Sequence, residues 1–214
     1  MNPAIPEPEW EKLAHNPILL RSAKPDGNEG LCFARYMDQA AEGFFRFLLG
    51  RRAEAIMASA FLEPQHSLSY QYVTFAERSG ELVGMTSAYT GAQLRGFSES
   101  PLVRAAGNFP LRLKCMRVLL APVFRILNTV ADEDFYLQGI AVEPSLRGEG
   151  IGSILMDDIE QRASASGSKN LCLDVAAKNT GARRLYARRG MIEMSKWPDA
   201  GILPPLFVRM AKGC

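Results

Sequence analysis

The hydrophobic and polar positions of the chain fall into segments of two different periods. The stretches 70–76 and 81–89 are rich in β-branched and aromatic residues and are joined through Arg78-Ser79-Gly80, which predicts an antiparallel hairpin. Upstream, 18–22 reads as a short strand, and Pro25-Asp26-Gly27-Asn28 as a turn into helical pattern. Two helices are expected across 29–61, with Leu31, Tyr36, Phe44, Phe45, Phe47, Leu48 and Leu49 supplying apolar faces and Gly50 ending or bending the run. After the hairpin, 91–131 resembles an insertion with a helix near 111–128. Leu113, Met116, Leu120, Val123, Phe124 and Leu127 fall on one face of that helix, Lys114, Arg117 and Arg125 on another, and Pro122 bends or divides it. A strand is then predicted over 135–142, a helix over 151–164, a strand over 170–175, a helix over 180–189 that stops at Gly190, and a last strand near 206–210. Residues 1–16 read as a loose lead-in. This order predicts one mixed α/β domain spanning 1–214.

Charge and composition narrow the function classes. A net charge of +2 is too weak a footprint for nucleic-acid binding, but it is compatible with an anionic cofactor. The four cysteines, Cys32, Cys115, Cys172 and Cys214, are too dispersed for a zinc pair or a disulfide framework, and there are only two histidines, His15 and His66. No metal site is therefore expected, and the thiols read as reduced in a cytoplasmic protein. The N-terminal segment lacks the basic and apolar regions of a signal peptide. The longest apolar run, 118–127, is interrupted by Pro122 and Arg125 and is too short for a membrane span. Gly213-Cys214 lacks the spacing of a prenylation box.

The segment that carries chemistry runs from Gly139 to Ser153. An apolar strand ends at Val142, Pro144 turns the chain, and Arg147-Gly148-Glu149-Gly150-Ile151-Gly152 leads into an amphipathic helix bearing Ile151, Ile154, Leu155 and Ile159. The first N–H groups of a helix lack intrahelical acceptors, and the helix dipole adds about half a positive charge there. An anion is favoured at such an end. Glycines at 148, 150 and 152 remove side chains that would obstruct a phosphate, and Arg147 adds a fixed charge. A glycine-rich turn of this kind also serves as a packing device or a dinucleotide loop. No Gly-Lys-Ser/Thr follows, so it is not a Walker loop. The dinucleotide pattern fails as well, because Ser153 or Leu155 stands where its third glycine belongs.

Arg147-x-x-Gly150-x-Gly152, after Ile140-Ala141-Val142 and Pro144, resembles the acetyl-CoA loop of the GNAT superfamily of N-acetyltransferases. A second segment supports the resemblance: Leu173-Asp174-Val175, Asn179, Ala182, Leu185-Tyr186 and Gly190, followed by Met191 where the superfamily usually has Phe. Together the two motifs cover about 135–192. The resemblance implies a mixed, mostly antiparallel central sheet flanked by helices, here with a helical insertion before the cofactor-binding strand. It implies acetyl-CoA as acyl donor. Loop amides within 146–153 would bind the pyrophosphate, with Arg147, Gly148, Gly150, Ile151, Gly152 and Ser153 the residues concerned. Backbone groups of Ile140, Ala141 and Val142 would meet the pantetheine arm, in a cleft where the neighbouring strand 170–175 diverges. Asn179 would contact the pantetheine or the reaction zone, and Tyr186 would act as general acid toward the leaving thiolate. The implied reaction is direct attack by a primary amine of a small molecule, peptide or protein on the thioester. Asp134, Tyr136, Gln138 and Glu143 lie near the relevant strand without any motif marking one of them as base. Dimers are common in the superfamily, so a homodimer is compatible, but no apolar stripe marks an interface.

Simpler roles stand beside these. Tyr186 can be a helix residue packing on the sheet, and Asn179 a helix N-cap. Arg183, Arg184, Arg188 and Arg189 form either a solvated helix face or a contact to the 3′-phosphate of CoA. Asp174 reads as a structural acceptor, the two histidines as satisfied polar residues, and Cys172 as a buried, inert thiol. The basic and apolar segment 111–128 packs on the core, lids an acceptor site, forms a dimer contact or lies on a membrane surface. The rival to an enzyme is a non-catalytic acyl-CoA-binding sensor or interaction module.

Overall fold

A computed structural model of the chain describes residues 16–107, 129–198 and 205–214. All of the expected lead-in over 1–16 except Asn16, and with it His15, lies outside the described residues, as do the helix near 111–128 and Cys115. β1 (Leu19–Ser22) leads to Asp26, whose carboxylate accepts from the N–H groups of Asn28 and Glu29 and caps α1 (Gly27–Ala40). A cap of this kind contributes about 1 kcal/mol. The expected pair of helices up to residue 61 is in fact three, with α2 (Phe44–Leu49) and α3 (Ala53–Phe61) following α1. The breaks fall at Gly43 and Gly50, where φ turns positive.

The hairpin is present as β2 (Val73–Arg78) and β3 (Glu81–Thr90). β2 begins later than its β-branched pattern predicts because the Ser69 hydroxyl accepts from the Gln71 N–H and winds Tyr70–Tyr72 into a 3₁₀ turn. The insertion opens with two short helices, α4 (Gly91–Arg95) and α5 (Ser100–Ala106). Its ends are stitched together. A Cβ on Gly91 would lie 1.8 Å from the Ala131 carbonyl oxygen, so only glycine allows this approach. Ala92 N–H donates to the Asp132 carbonyl at 3.3 Å, and Arg95 pairs with Asp132. Then follow β4 (Asp134–Val142), α6 (Ile151–Ala165), β5 (Asn170–Ala176), α7 (Thr180–Arg188), β6 (Ile192–Trp197) and β7 (Phe207–Gly213).

The strands form one sheet in the order β1-β2-β3-β4-β5-β7-β6. Every neighbouring pair is antiparallel except β4 and β5, which are parallel. Alternation across the pleat feeds two layers of helices. On one face Phe33, Met37, Ile56, Met57 and Phe61 of α1 and α3 pack on Phe75, Met85 and Ala141. On the other, Met156, Ile159 and Ala163 of α6 and Tyr186 of α7 pack on Leu137, Leu171, Leu173, Val175 and Val208. Burial of each such large apolar side chain contributes about 1.5–3 kcal/mol. No helix among the described residues is long and apolar enough to cross a membrane.

One buried ion pair crosses from β5 to β7. Arg209 donates to both carboxylate oxygens of Asp174 at 2.9 and 2.7 Å, and each side chain is only 7% exposed. Tyr136 OH donates to the same carboxylate at 3.0 Å, and Arg209 also donates to the Thr129 hydroxyl at 2.8 Å. Asp174 is thus the structural acceptor that its place in a strand suggests. Removing one partner strands a charge away from water. Asp174→Ala is therefore expected to lower unfolding stability by about 3–5 kcal/mol, read from urea denaturation; a loss below about 1 kcal/mol would show that the pair is not buried in solution.

Candidate active site

β4 and β5 begin as partners and end apart. Their register runs from Asp134↔Asn170 to Leu137↔Leu173 and goes no further, although both strands continue. The separation starts at a bulge. Ala88 faces Leu137 and Ser87 faces Gly139, so Gln138 is the extra residue; its side chain accepts from the Ser87 hydroxyl at 3.1 Å. A bulge bends its strand and increases local twist, which carries β4 away from β5.

Beyond the bulge the backbone direction follows from the two-residue period of a strand. Glu143 N–H donates to the Val83 carbonyl at 2.9 Å, so Ala141 and Gly139 also turn their amides toward β3. Ile140 and Val142 turn theirs into the gap. The structure thus separates Ala141 from its two neighbours among the expected pantetheine contacts, because its amide is directed at β3. The Val142 carbonyl accepts from the side-chain amide of Gln39 on α1 at 3.0 Å. No sequence pattern singled out Gln39, which lies in a helix far away along the chain.

β4 leads straight into the glycine loop. Gly148 and Gly150 have φ of +90° and +85°, a left-handed backbone that only glycine adopts without strain. A Cβ at either position would meet no protein atom within 4 Å, so both open onto free space. The N–H groups of Gly148, Gly150, Ile151 and Gly152 have no acceptor among the described residues, whereas Ser153 N–H is used by the Gly150 carbonyl at 2.9 Å. Arg147 is exposed beside them. Glu149 is drawn aside by Arg78 of β2, whose guanidinium donates to it at 2.6 Å.

α7 forms the far wall. Tyr186 is buried against Met156, Ile159, Leu173 and Val175, with Ile140 packed on the same cluster. Burial pushes its phenol up to about 12, so it stays protonated through the neutral range. Asn179 caps α7, accepting from Ala182 N–H at 3.0 Å, and its amide donates to Glu42 of the α1–α2 turn at 3.0 Å. Lys178 pairs with the same carboxylate at 3.1 Å. The basic run divides in two. Arg183 pairs with Glu193, and Arg189 binds Asp157 at 2.8 Å, Glu160 at 2.9 Å and the Ser153 carbonyl at 3.1 Å. Arg184 and Arg188 remain exposed.

The four polar groups near β4 are dispersed. Asp134 binds Asn170 at the far end of the strand, Tyr136 is committed to Asp174, Gln138 sits in the bulge, and Glu143 accepts from Tyr36 OH at 3.4 Å beside the loop. Cys172 is buried, which pushes its thiol up to about 12. His66 is buried and bonded to the Ala60 carbonyl at 2.8 Å.

A forked parallel strand pair that opens onto a glycine-rich helix start defines a class of acyl-CoA-using transferases, and comparison with known proteins agrees. The sequence model of the acetyltransferase (GNAT) family matches residues 34–191. A solved acetyltransferase superposes with a TM-score of 0.63 at 26% identity, covering 91% of this chain and 98% of that one. An N-acetyltransferase from Staphylococcus aureus Mu50 gives 0.61 at 16% identity, with 91% and 100% covered. The NatC complex bound to Gag peptide and CoA gives 0.51 at 12% identity, with 92% and 98% covered. No curated protein sequence matches. The chain belongs to the GNAT family of acetyltransferases, whose acyl donor is acetyl-CoA. The loop's chemistry is compatible with that donor: four N–H groups have no acceptor among the described residues, and two glycine positions have no atom within 4 Å of an added Cβ.

The buried tyrosines predict an alkaline limit to stability. Burial raises Tyr36, Tyr89, Tyr136 and Tyr186 above the ordinary tyrosine value. A raised folded-state value means stability is fully present below about pH 10 and is lost as pH rises through the folded values. Tyr186→Phe is expected to flatten that loss between about pH 10 and 12 in denaturant titrations; an unchanged slope would show that Tyr186 is not shielded from water.

Proposed function

We propose that the protein transfers the acetyl group of acetyl-CoA to a primary amine of a small molecule, peptide or protein by direct attack. The observation that carries this reading is the fork between β4 and β5, whose unpaired β4 edge runs into the glycine loop. The amides of Gly148, Gly150, Ile151 and Gly152, with Arg147 beside them, would hold the pyrophosphate, and the exposed Arg184 and Arg188 would meet the 3′-phosphate. The amides of Ile140 and Val142 would pair with the pantetheine arm as an added strand does, and one of them would polarise the thioester carbonyl. Asn179 completes the wall opposite.

Tyr186 serves as general acid. A neutral amine attacks the thioester carbon; as the N–C bond forms and the C–S bond breaks, the Tyr186 hydroxyl protonates the departing sulfur, the amine nitrogen gives up its extra proton to solvent, and Tyr186 is reprotonated from solvent. Holding amine and thioester in reacting geometry supplies roughly 7–11 kcal/mol of the rate enhancement. We take 1–214 as one acyltransferase domain in which the segment 91–131 shapes the acceptor side. In support, Phe97 of that segment packs on Tyr72 and Tyr89, which continue to Tyr136 at the fork.

Two measurements test the reading. Calorimetry is expected to show acetyl-CoA binding by the parent and none by Gly150→Glu, whose carboxylate fills the open position; equal binding by the two would remove the loop from the site. Tyr186→Phe is expected to lower kcat about 10²–10⁴-fold while leaving acetyl-CoA affinity nearly unchanged. Unchanged turnover would leave Tyr186 as a packing residue, and no turnover by the parent with any amine, despite tight binding, would favour a non-catalytic acyl-CoA-binding module.

A further inference from the structure

Glu149 is an acid inside a loop built to hold an anion. It lies between two glycines of positive φ, the second of which, Gly150, is the N-cap of α6. A carboxylate at this place interacts well with the helix dipole, and for that reason competes with a phosphate for the same field. Arg78, the last residue of β2, reaches it from a distant part of the chain. The Arg78 side chain is 10% exposed and Glu149 43% exposed, and the donor–acceptor distance of 2.6 Å marks a charge-assisted bond. The Arg78 Nε is buried with no partner among the described residues. A surface ion pair evolved for stability alone gains nothing from burying an arginine with one donor unused.

We propose that Arg78 is a positioning residue for donor binding: it holds the Glu149 carboxylate away from the loop amides and cancels its charge, so that the loop presents a net positive field to the pyrophosphate. This rests on the assignment of 147–153 as the pyrophosphate loop. The effect belongs to binding and leaves the reacting centre unaffected. Without Arg78, Glu149 is free to turn back over the unused N–H groups and act as an internal competitor. Without both charges, the competitor is gone and the loop recovers.

The test is a double-mutant cycle with CoA as the probe, measured by calorimetry on the full chain beside kinetics and thermal unfolding. Arg78→Met is expected to weaken CoA binding about tenfold and to raise KM for acetyl-CoA with kcat retained. Arg78→Met/Glu149→Gln is expected to return affinity to within about threefold of the parent, a coupling that simple loss of packing would not produce. Glu149→Gln alone needs no stable Arg78 variant and is expected to bind CoA at least as tightly as the parent. Parent-like binding by Arg78→Met, a double variant as weak as Arg78→Met, or weakened binding by Glu149→Gln would each overturn the inference. A folded parent that does not bind CoA would instead reject the loop assignment, and this inference with it.

Discussion

Parallel strands that stop pairing partway along leave backbone donors and acceptors with nothing to bond. β4 and β5 share only the register Asp134–Leu137 with Asn170–Leu173, and the amides of Ile140 and Val142 then face a gap. An interior polar group without a partner costs about 1–3 kcal/mol, so such an edge persists only where water or an extended ligand supplies the missing bonds. The bulge at Gln138 opens the gap, and the helices on both faces keep it from closing. α1 holds one side, through Met37 beside Gly139 and Gln39 on the Val142 carbonyl. α7 holds the other.

The strand that lines the gap also delivers the chain to the start of α6. A single segment of connected backbone therefore presents a row of unused amides, first along an extended edge and then around a helix end. The arrangement suits a ligand that is extended and amide-bearing at one end and doubly phosphorylated at the other. That is the chemical outline of the donor used by the GNAT family, to which the chain belongs. Local electrostatics follow the same geometry. Arg147, Arg184 and Arg188 are exposed, while several acids nearby are tied to a base: Glu149 to Arg78, Asp157 and Glu160 to Arg189, and Glu193 to Arg183.

The loop, its flanking strand and α6 were legible along the chain because their signals are local: an apolar run, a proline, spaced glycines and a helical period. The Asn179 cap and the Asp26 turn were legible for the same reason. β6 was not, since Ile192, Glu193 and Met194 are exposed on an edge strand and show no alternation between faces. Tyr70–Tyr72 looked like strand, but a serine hydroxyl redirected the backbone. The bulge at Gln138 and the pairs Arg78–Glu149 and Gln39–Val142 depend on residues far apart in the chain, so no spacing rule reveals them. Asp174 could be seen as polar within a strand, but its partner Arg209 appears only once β5 and β7 lie side by side.

The described residues of the insertion lie at its two ends. These ends close on each other at Gly91 and Ala131, and Phe97 rests on the tyrosine cluster near the fork. Donor binding through backbone amides is read most directly by amide hydrogen exchange with and without acetyl-CoA. Exchange at Ile140, Val142, Gly148, Gly150, Ile151 and Gly152 should slow on binding, while Glu143, already bonded to Val83, should change little. Binding that left those six amides unprotected, or that protected a different surface, would place the donor away from the fork and the loop.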